Sequence, residues 1–241
     1  MTQVSTISPI SSAGTIWRNG FLQSSLADTS SFNKFCSKTI TANNNISLFE
    51  SQSKQNGTLT LKHCVLSQSL YFIDLLFESS IFKDLYSIFG TTPLLTNFKH
   101  FQSIGKLKSL QWHRDTYVSN KNDIGNMPPV LKLAVYTSDI RPFDPALQLI
   151  KYSHRVNFDN AIFDRLFSLS NLNKITVNAR IGDYIIFDSS LLHRRRPCHS
   201  SNGYRSVTIY AFTPHTFIQS KYLACEHTNT YLNYYNSLIP Q

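Results

Sequence analysis

Four residues in the second half of the chain could do chemistry together: His113, Asp115, His193 and Arg205. His113 and Asp115 stand two apart in the run Gln111-Trp112-His113-Arg114-Asp115. Residues two apart on a strand face the same side, so an imidazole nitrogen and a carboxylate oxygen would project together. Alone, His-x-Asp is a weak signal and reads more readily as a strand-edge histidine beside a solvated aspartate. His193 changes that. It follows Gly182-Asp183-Tyr184-Ile185-Ile186-Phe187-Asp188 and four further residues: a turn, an apolar strand, then a histidine at the end of the approach. Two histidines and one carboxylate make a facial triad that holds Fe(II) and leaves the opposite positions open. Those positions suit a bidentate 2-oxo acid and O2.

Arg205 lies twelve residues beyond His193, near the start of an alternating segment over 204–212. If that strand neighbours the one delivering His193, the guanidinium enters the same cavity. There it can grip a carboxylate bidentately, as the remote carboxylate of 2-oxoglutarate would require. Taken alone, Arg205 is equally readable as a surface or ion-paired arginine.

Such residues need rigid elements to carry them. Leu70, Ile73, Leu76 and Phe77, then Phe82, Leu85 and Phe89, recur at helical spacing over 67–89. Ser79 and Ser80 mark a break, Gly90 a stop, and Pro93 lies just beyond. From there the pattern predicts short strands over 94–103, 109–116, 130–137, 147–151, 175–179, 184–187 and 204–212. In the last, Val207, Ile209 and Ala211 share one face and Ser206, Thr208 and Tyr210 the other. A short amphipathic helix capped near Asp159 and carrying Ile162, Phe163, Leu166 and Phe167 interrupts the strands. Helices followed by seven or eight strands predict a mainly β (α+β) chain: a jelly roll with an N-terminal helical buttress. Residues 1–15 read as a flexible tail. Residues 16–241 read as one domain, with its β core over about 94–212 and a lid from the first 60 residues and segment 117–129.

Composition narrows the partners. The 241 residues carry a formal net charge of +9, yet the basic residues are scattered, so nucleic acid is not the expected partner. Arg194, Arg195 and Arg196 form the one dense run, beside a proposed ligand. With Lys151 and Arg155 they point to a small molecule bearing an anionic or carboxylated group. The four cysteines are far apart with no Cys-x-x-Cys pair, which argues against a zinc site or a disulfide framework. No stretch reads as a secretory signal or a membrane span, and free thiols fit a cytoplasmic protein.

The ordered set Trp-His-x-Asp, then Pro145-Ala146-Leu147-Gln148-Leu149-Ile150-Lys151-Tyr152-Ser153-His154, then Gly-Asp-x-x-x-Phe-Asp-x-x-x-x-His, then Arg-Ser resembles the phytanoyl-CoA dioxygenase-like branch of the Fe(II)/2-oxoglutarate oxygenases. The resemblance covers roughly residues 94–212. It implies a cupin-like double-stranded β-helix. It makes His113, Asp115 and His193 the iron ligands and Arg205 the 2-oxoglutarate anchor, with O2 as the other co-substrate. Carbon–hydrogen bond hydroxylation, desaturation, epimerisation or ring formation would follow; a carboxylate at Asp115 disfavours halogenation, since halogenases of this pattern carry Gly or Ala there.

The sequence also departs from the pattern. The middle motif of relatives reads like Pro-Gly-Ser-His, and here Lys151 and Tyr152 replace the Pro-Gly. Two residues past the distal histidine, relatives carry a small hydroxyl residue where this chain has Arg195. Either Arg195 adds a second cationic contact to the co-substrate or another residue supplies the hydrogen bond, with Gln102 and Asn97 as candidates. His154 reads as a loop-structuring residue and not as a ligand, and Trp112 as packing behind the ligand it flanks. Three other readings stay open: a peptide or protein side-chain hydroxylase, a non-catalytic jelly-roll binding module, and a zinc or manganese cupin.

Overall fold

The alternation over 204–212 sets the centre of the fold. The structure, a computed structural model, describes residues 12–26, 30, 32–37, 51–55, 58–63, 70–115, 129–156, 161–169, 173–217 and 226–238. Its strands are β1 (Phe21–Ser25), β2 (Ser51–Gln55), β3 (Thr58–His63), β4 (Pro93–Ile104), β5 (Leu131–Tyr136), β6 (Leu147–Ile150), β7 (Lys174–Thr176), β8 (Asp183–Asp188), β9 (His193–Arg195) and β10 (Tyr204–Pro214). β10 pairs antiparallel with both β4 and β5. The major sheet runs β1-β8-β5-β10-β4-β3-β2, and a minor sheet runs β7-β6-β9. Two stacked antiparallel sheets with this crossed strand order make the expected jelly roll.

The major sheet is covered on both faces. One face sends Leu131, Leu133, Val135, Ile186, Tyr210 and Phe212 into a core shared with the helices. The other sends Ala134, Tyr136, Ile185, Phe187 and Val207 toward Leu147 and Leu149 of the minor sheet. Period-two alternation sorts the residues between these cores.

The helical layer contains α1 (Ser12–Asn19), α2 (Tyr71–Glu78) and α3 (Ser80–Phe89). The break falls at Ser79, as the sequence predicts: its backbone is extended at φ −121°, and its hydroxyl accepts from the Ile81 amide. Gly90 closes α3 at φ 67°, donating its amide to the Tyr86 carbonyl. α4 (Ala161–Leu169) is the amphipathic helix among the strands. α5 (Glu226–Leu238) adds a C-terminal part to the buttress: Thr228 Oγ1 and Tyr231 OH donate to the carbonyls of Leu95 and Pro93 on β4. Its Asn, Thr and Tyr content gives little apolar periodicity for a sequence reading to find.

Some expectations change. Of the strand expected over 109–116, the described residues 109–115 form none; isolated bridges, Leu107 to Cys198 just before them and His113 to His193 within them, hold this stretch. Between them residues 108–111 are exposed, and the Leu110 amide donates to the Arg195 carbonyl of β9 at 3.2 Å. Most of the apolar stripe on α4 faces outward, with Ile162 70% and Leu166 58% exposed. Residues 12–15, read as tail, open α1. β1, β2 and β3, from the region expected to form a lid, extend the edges of the major sheet. Residues 117–128 of the other lid segment lie outside the described residues.

Candidate metal centre

The His113–His193 bridge builds the centre. Each residue's amide donates to the other's carbonyl at 3.0 Å, which sets the two rings side by side with centroids 4.3 Å apart. Ser153, on the 3-10 turn after β6, fixes the approach to His193: its hydroxyl accepts from the Leu192 amide at 2.8 Å. The Asp115 amide donates to the Ser189 carbonyl at 2.9 Å, bringing the carboxylate alongside.

The tautomers follow from the partners. His113 Nδ1 lies 2.9 Å from the Gln111 carbonyl and His193 Nδ1 lies 2.8 Å from the Leu191 carbonyl. A carbonyl oxygen only accepts, so each Nδ1 carries a proton and each Nε2 is the nitrogen turned toward Asp115. This carbonyl-anchored imidazole is the arrangement that orients a metal-binding histidine. Asp115 Oδ1 is 3.8 Å from His113 Nε2, and Oδ2 is 3.4 Å from His193 Nε2. One ligand atom from each of the three residues falls within 4.8 Å of the others. Burial acts to raise the Asp115 carboxyl, but the His193 hydrogen bond and the nearby Lys132 charge outweigh it and hold the group well below the usual carboxylate range. Two imidazole nitrogens and one ionised carboxylate are a donor set suited to Fe(II).

A cavity of about 240 Å³ opens beside this cluster. Arg205 lines it from β10 and is buried. Its Nε has no hydrogen-bond partner among the described residues, and neither has Arg195 Nε. Burial lowers the pKa of both arginines from the ordinary value, and the like charge of Arg205 lowers Arg195 further. Tyr136 stands close enough to Arg205 for their charges to interact; burial pushes its phenol up to about 12, and its hydroxyl also lacks a partner among the described residues. Buried cations and a buried hydroxyl left unsatisfied are costly unless an anion fills the space between them.

Five of the seven candidate residues meet at this cavity: His113, Asp115, His193, Arg205 and Arg195. Gln102 does not. It pairs in register with Ser206, on the opposite face of the sheet from Arg205, and its amide lies 3.5 Å from the Tyr204 hydroxyl. Asn97 does not line the cavity either; Lys99, Phe101 and Ser103 of the same strand do. Of the basic run, Arg194 stacks on Trp112 at 4.5 Å and donates to Gln148, while Arg196 donates to the Pro142 and Asp144 carbonyls. Lys151 lies over Phe21, and Arg155 donates to the Arg18 carbonyl; neither lines the cavity. His154 Nε2 meets the Trp17 carbonyl at 3.1 Å, outside the metal cluster. Lys132 and Lys99, which line the cavity, and Tyr136, beside Arg205, are absent from the sequence reading. Strand alternation carried a signal for them: Lys132 shares a face of β5 with Ala134 and Tyr136, opposite the Leu131, Leu133 and Val135 face.

Solved structures share this architecture. HygX from Streptomyces hygroscopicus, with nickel, 2-oxoglutarate and hygromycin B bound, aligns with a TM-score of 0.63 at 18% identity, over 83% of this chain and 85% of that one. EctD from S. alaskensis, with bound Fe, aligns with a TM-score of 0.67 at 12% identity, over 88% and 80%. The chain has their fold. The non-heme alpha ketoglutarate dependent epimerase SnoN from nogalamycin biosynthesis aligns with a TM-score of 0.62 at 13% identity, over 84% and 81%. No protein-family model and no curated protein sequence matches the chain, so the resemblance carried by its motifs is met at the level of fold.

Proposed function

We propose that this chain is an Fe(II)- and 2-oxoglutarate-dependent oxygenase acting on a C–H bond of a small molecule. One observation carries the reading: two histidine nitrogens and a carboxylate converge on the same cavity as the buried, unsatisfied Arg205 Nε. His113, Asp115 and His193 would hold the metal. Arg205, with Tyr136 beside it and Arg195 near, would hold the far carboxylate of 2-oxoglutarate. When bound, the iron and its co-substrates supply an oxidant strong enough for an unactivated C–H bond, with succinate and CO2 as co-products.

The chain's own residues do the positioning. The Gln111 and Leu191 carbonyls fix the Nδ1 protons and so aim each Nε2. Arg205 sets the co-substrate's direction, since a planar guanidinium grips a carboxylate with defined geometry. Phe101, Leu110, Phe187 and Ile209 line the cavity with apolar surface that keeps water from the reacting carbon. HygX with hygromycin B bound and SnoN from nogalamycin biosynthesis support a small-molecule substrate. In this reading residues 16–241 work as one domain, and the buried free thiols Cys36 and Cys198 suit a reducing compartment such as the cytoplasm. The test is anaerobic addition of Fe(II) and 2-oxoglutarate. A weak visible charge-transfer band that needs both additions is expected. Absence of the band, with no iron-dependent succinate release in air, sinks the reading.

A further inference from the structure

Five basic side chains line the cavity and Asp115 is the one acidic side chain among the described residues that does. A divalent ion and a dianionic co-substrate do not neutralise that excess. Arg194 is engaged with Trp112 and Gln148, and the other four fall into two sets. Arg205 and Arg195 form the end assigned above to the far carboxylate. Lys99 and Lys132 have no part in that assignment.

The register separates the sets. On β10, Arg205 stands opposite Ser103 and Ile209 opposite Lys99, while Ala211 stands opposite Lys132 on the other side. At strand rise, Lys99 is therefore roughly 13 Å along the sheet from the level of Arg205, and Lys132 roughly 20 Å. The two lysines flank β10 from either side, on the cavity face. Lys132 Nζ is 3.4 Å from Asp115 Oδ2, which places this end at the metal cluster. Among the described residues, no acidic side chain pairs with Lys99.

We infer that the primary substrate carries an oxyanion, a phosphate or a carboxylate, held by Lys99 and Lys132 beside the metal cluster. Calling that ligand the substrate rests on the oxygenase reading; the anion site itself rests on the two lysines. Ammonium groups are compact charges with three rotatable donors each and adapt to a tetrahedral phosphate, whereas the planar fork at Arg205 favours a carboxylate. Ala134, Ile209 and Phe101 wall the lysines with apolar surface, which strengthens their attraction for an anion. An anion seated there leaves its adjoining carbon next to the Asp115 ligand atoms.

The test titrates methyl phosphate and, separately, acetate into protein saturated with Ni(II) and 2-oxoglutarate, so that the Arg205 end is already filled. Methyl phosphate or acetate binds the wild type, the tighter probe naming the oxyanion, and affinity falls as salt rises. Lys99→Gln and Lys132→Gln each weaken that binding by about tenfold, the loss of one charged hydrogen bond. Lys99→Arg keeps the charge and restores binding, while Lys99→Gln leaves 2-oxoglutarate affinity unchanged. The inference is overturned if neither probe binds, if both Gln variants bind as the wild type does, or if Lys99→Gln weakens 2-oxoglutarate instead. If 2-oxoglutarate fails to bind the metal-loaded protein, the oxygenase reading falls by itself. The same titration of ligand-free protein then decides the anion site: binding lost in both Gln variants sustains it, and binding absent or indifferent to them overturns it.

Discussion

Lys132 Nζ stands 3.4 Å from Asp115 Oδ2, the same oxygen that lies 3.4 Å from His193 Nε2. An ammonium therefore shares the one carboxylate of the candidate metal centre. That pairing holds Asp115 ionised, and it also sets a positive charge against any incoming cation.

The second effect decides the first prediction. The His193 hydrogen bond also acts to keep Asp115 ionised, so losing the lysine mainly removes repulsion. Lys132→Met should tighten Mn(II) binding by about threefold to tenfold, a modest gain because the carboxylate is partly solvated and screened. Isothermal titration in low salt measures it. Weaker binding in the variant would mean that Lys132 serves chiefly to orient the carboxylate.

How much of this centre was legible depended on which signals were local. His193 was readable because an apolar strand, β8, leads into it after a Gly-Asp turn. Arg205 was readable because β10 alternates cleanly. The strand expected over 109–116 is absent from its described residues because His113 is held by one isolated pair of backbone bonds to His193 and Asp115 by one bond to Ser189, and not by a strand ladder. Gln102 is a candidate by its strand alone, since the sequence does not tie parity along β4 to Arg205; its pairing with Ser206 sets it on the other face of the sheet. The α4 stripe was legible as a helix, but its exposure was not, since the pattern gives a face without saying what covers it. Lys132 and Lys99 became visible only when three strands were set in register across β10.

Arg205 yields the second prediction. Its side chain is buried with Nε unsatisfied, and burial lowers its pKa. Replacing such a group by an apolar one of similar length removes a desolvation penalty. Arg205→Met should raise the stability of the ligand-free protein by about 1–3 kcal/mol, several degrees in melting temperature for a domain of this size. The same variant should lose the further stabilisation that 2-oxoglutarate gives the metal-loaded wild type. Paired melting curves with and without the co-substrate read both effects. A variant that melts lower alone and still responds to 2-oxoglutarate contradicts both parts.

Tyr152 offers a test of the loop that departs from the resembling motif. It holds φ 67°, the left-handed region, at the position where that motif has glycine. The backbone shape is thus kept with a side chain that disfavours it, at a cost of about 1–2 kcal/mol. Its contact with Arg155, 5.4 Å from the ring, is at the surface and returns little. Tyr152→Gly should therefore leave stability unchanged or raise it by up to about 1 kcal/mol, despite glycine's greater freedom when unfolded. A loss beyond about 1 kcal/mol in urea unfolding would show that the ring packs more usefully than its exposure implies.

Arg114 links the metal segment to α4. Its side chain is fully buried between two candidate ligands in sequence, yet it points away from them. Nε and the NH2 group donate to Asp164 at 3.0 and 2.8 Å, and the NH1 group donates to the Ser153 and Ser190 carbonyls. Ser153 also positions Leu192, and Ser190 precedes Leu191, whose carbonyl anchors His193 Nδ1. One guanidinium thus joins both halves of the centre. Asp164→Ala takes the Asp164 carboxylate away from that buried cation, and breaking such a pair costs about 3 kcal/mol. α4 buries little of its apolar stripe, so it depends on this tie and should fray with it. The expected result is a fall in melting temperature together with weaker Mn(II) binding. Asp164→Glu keeps the charge and should recover most of both. Metal affinity that stays at the wild-type level while stability falls would confine Arg114 to the fold and remove it from the centre.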